Sequence, residues 1–161
     1  FVEDYRKLTK MPTPAFKPIQ VHQWLDAIRL LMKNTLADAG INLRITQRGT
    51  QNELIGDEKM LNQVMINILN NAIDALANTD NKKITISVAE NNQGRLRISI
   101  SDNGKGIPPE ELEKVFIPFY TTKENGSRIG LSLSRKIMRL HRGSISVSSQ
   151  PAEKTTFILS F

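Results

Sequence analysis

Three groups of residues have the types and spacing to do chemistry. The first is a polar stripe: Gln63, Asn67, Asn71 with its neighbour Asn70, Asp74 and Asn78. Steps of three and four place these side chains on one helical face. Between Met60 and Asp80 there is no Lys, Arg or Glu, the residues that usually build a solvated helix face. Asparagine is a poor helix former, so those at 62, 67, 70 and 71 each cost roughly a few tenths of a kcal/mol. Amides offer donors and acceptors together, which suits the wall of a pocket for a polar ligand.

The second group follows a strand. Leu96, Ile98 and Ile100 alternate, and the same parity turns Asp102 inward. A carboxylate at the end of an apolar strand needs a partner, and an exocyclic amine such as adenine N6 would supply one. In Asp102-Asn103-Gly104-Lys105-Gly106-Ile107-Pro108, the two glycines permit a tight turn and close backbone approach. The third group, Gly126-Ser127-Arg128-Ile129-Gly130-Leu131, stands at the entrance of a helix. Such an entrance is an anion site favoured by the macrodipole, and Lys123, Arg128 and Arg135 are near enough in sequence to add charge. It is not a P-loop, because G-K-[ST] and the preceding strand are missing.

These groups need elements to hold them. Phe1, Tyr5 and Leu8 share a helical face that Pro12 and Pro14 terminate, and Ala15–Val21 reads as extended. Trp24, Ile28, Leu31 and Leu36 predict a helix over about 23–39, stopped by Gly40. Ile41, Leu43 and Ile45 alternate as a strand, with a short extended piece at Glu53–Ile55. Asp57 can cap a long helix running to about Asn78, whose apolar stripe is Leu61, Val64, Met65, Ile68, Leu69, Ala72 and Leu76. Strands follow at 84–88 and 96–100, a short acidic helix at 110–115 and a helix from about Ile129 to His141. Two closing strands are expected at 144–148 and 155–161. The expected fold class is α+β: a two-layer sandwich of one mixed, mostly antiparallel sheet covered on one face by helices.

Composition narrows the function. The 161 residues suggest one domain or one domain with an appendage. Cysteine is absent and there are two histidines, which excludes disulfides and thiolate chemistry and argues against a multi-histidine metal centre. No apolar run approaches the ~18 residues of a membrane span, and because the first residue is Phe1, an upstream anchor stays open. The net charge of +6 is diffuse, and aromatics make up 6% of the chain without interleaving with arginines. A nucleic-acid partner is therefore not expected.

Singly the three groups are common; in order they are specific. The Asn67/Asn71 helix, the D-x-G-x-G loop, Phe116-Ile-Pro-Phe-Tyr-Thr-Thr-Lys123 and the Gly-containing helix start resemble the N, G1, F and G2 boxes. These mark the ATP-binding domain of bacterial sensor histidine kinases, a superfamily that includes type II topoisomerase, mismatch-repair and chaperone ATPases. The resemblance spans about Asp57 to Phe161, in a Bergerat-type fold, and the short interval between the F and G2 boxes resembles nitrogen-regulation-type kinases. Residues 1–14 resemble the end of a dimerisation hairpin with its linker, leaving 15–161 as the catalytic domain.

The resemblance implies that Asn71 holds Mg²⁺ and that Asn67 is a catalytic contact to phosphate or metal-bound water. It implies that Asp102 reads adenine with support from Thr155, and that Gly104, Gly106 and Ile107 shape the pocket floor. Lys123 (also catalytic), Arg128, Gly130 and Leu131 fall in the lid and phosphate region. ATP and Mg²⁺ are the implied cofactors. The implied partners are the protein's own dimerisation hairpin, within a homodimeric parent, and a response regulator receiver domain. The implied location is cytoplasmic, with any membrane attachment through other segments.

Two positions depart from the pattern: Asp74 stands where many kinases carry a lysine, and Arg128 where a second glycine is usual. The β-carbon at 128 is expected to weaken ATP binding. Neither His22 nor His141 has the surroundings of a phosphoacceptor. The hydrolytic relatives carry a glutamate at the position of Asn67, and an amide cannot take a proton from water. The residues therefore favour a kinase over a self-contained ATP hydrolase or a binding module without catalysis.

Overall fold

The computed structural model describes residues 2–120 and 129–161. After the short helix α1 (Val2–Thr9) come β1 (Lys17–Gln20), α2 (Val21–Leu31), α3 (Lys33–Asp38), β2 (Asn42–Gln47) and β3 (Glu53–Gly56). The long helix α4 (Glu58–Ala75) leads to β4 (Lys83–Glu90) and β5 (Leu96–Asp102), then α5 (Pro109–Leu112). Helix α6 (Gly130–Leu140) and strands β6 (Ser144–Gln150) and β7 (Lys154–Ser160) complete the chain.

Five strands form the main sheet in the order β2-β4-β5-β7-β6. Only the β2–β4 pair is parallel, so the sheet is mixed and mostly antiparallel, as expected. The single-sheet expectation needs one correction. Strands β1 and β3 pair with each other as a separate two-stranded ribbon, with Pro18 opposite Ile55. Proline cannot donate to a ladder, which confines it to an edge of this kind.

Alternation explains why one face is covered. Ile84, Ile86, Val88, Ile98, Ile100, Phe157 and Leu159 point inward and are buried. They pack on the stripe of α4, in which Leu61, Val64, Met65, Ile68 and Leu69 have no exposed surface, and on Leu133, Ile137 and Met138 of α6. Removing one such side chain, as in Ile68→Ala, typically costs about 2–5 kcal/mol. The opposite face is hydroxyl-rich: Thr46 donates to Ser87 at 3.2 Å, and Ser101 and Thr156 bond at 2.9 Å. A half-solvated sheet reads this way.

Three helix boundaries differ from expectation, the simplest being α5, which ends at Leu112 and not at 115. The helix expected over 23–39 is divided at Met32, yet its N–H still reaches the Ile28 carbonyl and its carbonyl still accepts from Leu36. At the break Met32 has φ −93° and ψ 2°, away from regular helical angles. Helix α4 stops at Ala75, short of Asn78. The Ala75 carbonyl, which a longer helix would give to Thr79, accepts from Lys105 N–H at 3.3 Å, while Thr79 N–H turns to Leu76. The loop after β5 therefore docks on the end of the long helix.

Candidate active site

The inner face of the sheet turns polar at one row. The register sets Leu43, Ile84, Asp102, Thr155 and Ser149 side by side across the five strands. Asp102 is 5% exposed and Thr155 is 3% exposed. Asp102 Oδ1 accepts the Gly104 N–H at 2.9 Å, so the carboxylate fixes the turn that follows it. A β-carbon at Gly104 would lie 2.6 Å from the Ala75 carbonyl oxygen. Gly106 has φ +75°, and a β-carbon there would lie 2.7 Å from the Gln150 oxygen. Both glycines are required, one by close approach to α4 and the other by conformation and the β6–β7 turn.

A cavity of roughly 820 Å³ opens over this row. Asn67, Asn70, Asn71 and Asp74 of α4 form one wall, and Asp102, Gly106, Ile107 and Thr155 lie along the floor. Gly130, Leu131 and Ser132 bring the first turn of α6 to the far side. Among the described residues no side chain caps that turn, and the free amides of a helix start are the groups an anion site uses. Lys105 adds a cation at the rim, and Asp74 and Glu111 add carboxylates. Among the predicted residues, Asn67, Asn71, Asp102, Gly106, Ile107, Gly130, Leu131 and Thr155 thus meet around one space, with Gly104 supporting Asp102 from behind. Lys123 and Arg128 lie outside the described residues.

Asn67 also joins two elements. Its Nδ2 donates to the Gly130 carbonyl at 2.9 Å and to Ser134 Oγ at 3.2 Å, and its Oδ1 accepts from Gln63 at 3.1 Å. Ser134, fully buried, donates to the same Gly130 carbonyl at 2.8 Å. The α6 entrance is therefore held against α4 by an amide of the stripe. Asn62 plays no part in the wall; its Oδ1 accepts from the Trp24 indole at 2.6 Å. Past α5, the guanidinium of Arg135 lies 5.6 Å from the Phe116 ring centroid, a cation–π contact. Phe119 sits at φ +66°, a costly conformation for a bulky residue and one concentrated at functional sites.

Sequence reasoning missed Ser134 and Ser149, whose hydroxyls secure the α6 entrance and the floor loop. Their only sequence signal is a hydroxyl on an otherwise apolar face, visible once the register is known.

A buried carboxylate beside paired glycines, an amide-lined helix and an uncapped helix start are thus gathered around one cavity. The chain belongs to the histidine kinase-, DNA gyrase B- and HSP90-like ATPase family, whose model matches residues 56–161. It is 31% identical over 158 residues to the sensor histidine kinase ZraS of Escherichia coli, covering 98% of this chain and 33% of that protein. Identity to the E. coli signal transduction histidine-protein kinase AtoS is 37% over 145 residues, 85% of this chain and 24% of that protein. Among solved structures, the catalytic domain of histidine kinase ThkA superposes with a TM-score of 0.81 at 28% identity, covering 91% of this chain and 95% of that one. ThkA in complex with the response regulator protein TrrA gives a TM-score of 0.83 at 25% identity, covering 99% of this chain and 45% of that one. The chain thus has the fold of a catalytic, ATP-binding domain of sensor histidine kinases and spans about a third of the length of ZraS. No helix among the described residues is long and apolar enough to cross a membrane.

Proposed function

We infer that this chain binds ATP with Mg²⁺ in the cavity and gives the γ-phosphoryl group to a histidine on the dimerisation hairpin of a sensor kinase. The parent would be a homodimer acting in the cytoplasm and passing the group on to a response regulator receiver domain. Residues 1–14 are the end of that hairpin and its linker, and 15–161 the catalytic domain. The observation that carries the reading is the polarity of a single cavity, a buried carboxylate at one end and the α6 N-terminus at the other. An adenine amine and a polyphosphate need those two ends in that arrangement.

Asp102 would accept from the exocyclic amine, with Thr155 beside it in the same row. Gly106 and Ile107 would bound the base, and the first turn of α6, with Gly130 and Leu131, would take the phosphates. Lys123 and Arg128 would add positive charge there. Magnesium takes oxygen ligands, and the wall offers the amide oxygens of Asn67 and Asn71 and the Asp74 carboxylate, a donor set that fits. Asn71 would hold the ion, which supplies charge neutralisation when bound. The acceptor histidine nitrogen attacks the γ-phosphorus as the bond to the β–γ bridging oxygen breaks. ADP leaves, and the ring proton passes to solvent. Catalysis is then chiefly positioning and charge stabilisation. Asn67 holds the α6 entrance while contacting the phosphate end, and it has no basicity with which to activate water.

The test supplies the hairpin segment of the parent kinase together with γ-labelled ATP. Transfer of label to the hairpin as an acid-labile phosphohistidine is expected. Steady ATP turnover by the chain alone, without transfer, would instead identify a hydrolase, and ATP binding with neither outcome a binding module.

A further inference from the structure

The polar row on the inner face has a third member beyond Asp102 and Thr155. Ser149 of β6 is the direct register partner of Thr155, just as Thr155 is that of Asp102. Ser149 does not line the cavity, yet its hydroxyl touches both sides of the floor. Its Oγ accepts the Ile107 N–H at 2.7 Å, lies 2.9 Å from Thr155 Oγ1 and donates to the Lys154 carbonyl at 3.0 Å. Ile107 and Thr155 are themselves cavity residues. Two neighbouring contacts reinforce the joint: Ala152 N–H donates to the Lys105 carbonyl at 2.8 Å, and Gly106 packs on Gln150.

Building on the reading of Asp102 as the adenine contact, we propose that Ser149 is a positioning residue that sets selectivity for a 6-aminopurine nucleotide over a 6-oxopurine one. A hydroxyl has one proton and two lone pairs. The Ile107 amide takes one lone pair and the Lys154 carbonyl takes the proton, which leaves the second lone pair to accept from Thr155, so Ser149 fixes which way the Thr155 hydroxyl points. Without it, the Ile107 N–H loses its acceptor and the loop bounding the base loses its tie to β6. The Thr155 hydroxyl also loses the partner that holds it, and with it the fixed position from which Thr155 supports Asp102, its register partner. The carboxylate oxygen that distinguishes adenine from hypoxanthine is then less firmly set for the exocyclic amine. The phosphate end, built from α4 and α6, shares no residue with this joint.

The experiment is calorimetric binding of ATP and of ITP, which carries a 6-oxo group, with Mg²⁺ present. The wild type should prefer ATP. Ser149→Ala should lose about tenfold in ATP affinity, the scale of one net hydrogen bond, and much less in ITP affinity, so the preference collapses. Ser149→Thr, which keeps the hydroxyl, should restore it. If Ser149→Ala does not fold, Ser149→Cys keeps the volume, weakens the hydrogen bonds and reads the same ratio. A preserved ATP preference in the alanine or cysteine variant, including an equal loss for both nucleotides, would overturn the assignment of Ser149 alone. Equal affinity of the wild type for ATP and ITP would overturn the Asp102 reading itself.

Discussion

At the residue scale, the cavity brings together groups that disfavour folding when considered alone. A buried carboxylate loses hydration, and Asp102 offsets part of that through the Gly104 amide. Asparagines in the middle of α4 lower helix propensity, and Asn67 recovers some of it by tying Gly130 and Ser134 to the helix. Asn71 lines the same wall. If its amide oxygen is a metal ligand, Asn71→Ala should weaken ATP binding much more in Mg²⁺ buffer than in EDTA, because the ion takes oxygen ligands and few of them come from the protein, so losing one loosens its tie to the site. Titration calorimetry in the two buffers checks this, and an equal loss in both would remove the ligand role. These residues were legible in the sequence because they violate local preference: amides where Lys and Glu belong, an acid where a strand's parity faces the core. Ser149 violates nothing. It is one of several serines in β6, and only the register reveals which of them backs the site.

At the element scale, α4 is fixed at both ends. Its C-terminus meets the floor loop through the Ala75 carbonyl. At its N-terminus, Asp57 Oδ1 accepts from Met60 N–H at 3.2 Å and Oδ2 from Ala15 N–H at 2.9 Å, joining the segment before β1 to the helix. His141, at the end of α6, accepts the Asp57 N–H through Nε2 and packs edge-on against Phe16. The Ala15 hydrogen bond, followed by the Met60 amide, holds the Asp57 carboxyl below the usual aspartate range against the opposing effect of burial. Because the folded form binds its proton less readily than the unfolded chain, this stability is complete above the ordinary aspartate value. It is lost as pH falls through the folded one. Urea unfolding below about pH 5 should show the wild type losing more stability on acidification than Asp57→Asn, and parallel curves would contradict the linkage. At neutral pH, Asp57→Ala should cost about 1 kcal/mol as a lost cap. The cap and the start of α4 were readable from sequence. The helix's end was not, because a tertiary hydrogen bond to Lys105 decides it.

At the scale of the whole molecule, alternation in five strands and one strong helical stripe were enough to give a mixed sheet with one covered face. Pairing was harder to read. Nothing in Lys17–Gln20 or Glu53–Gly56 says that these strands join each other and not the main sheet, since short extended segments carry little register information. The fold then does one thing for function: it brings the end of β5, the wall of α4 and the start of α6, distant in sequence, around one cavity. The most direct test of that arrangement is thermal unfolding with and without saturating Mg·ATP, in the wild type and in Asp102→Asn. The asparagine keeps an oxygen for the Gly104 amide but presents a donor where the base also donates. Ligand at a hundredfold excess over Kd should raise the wild-type Tm by roughly 5–10 °C and leave Asp102→Asn nearly unmoved, with similar Tm values for both without nucleotide. An equal ATP-induced rise in both proteins would contradict the assignment of this cavity as an adenine nucleotide site read by Asp102.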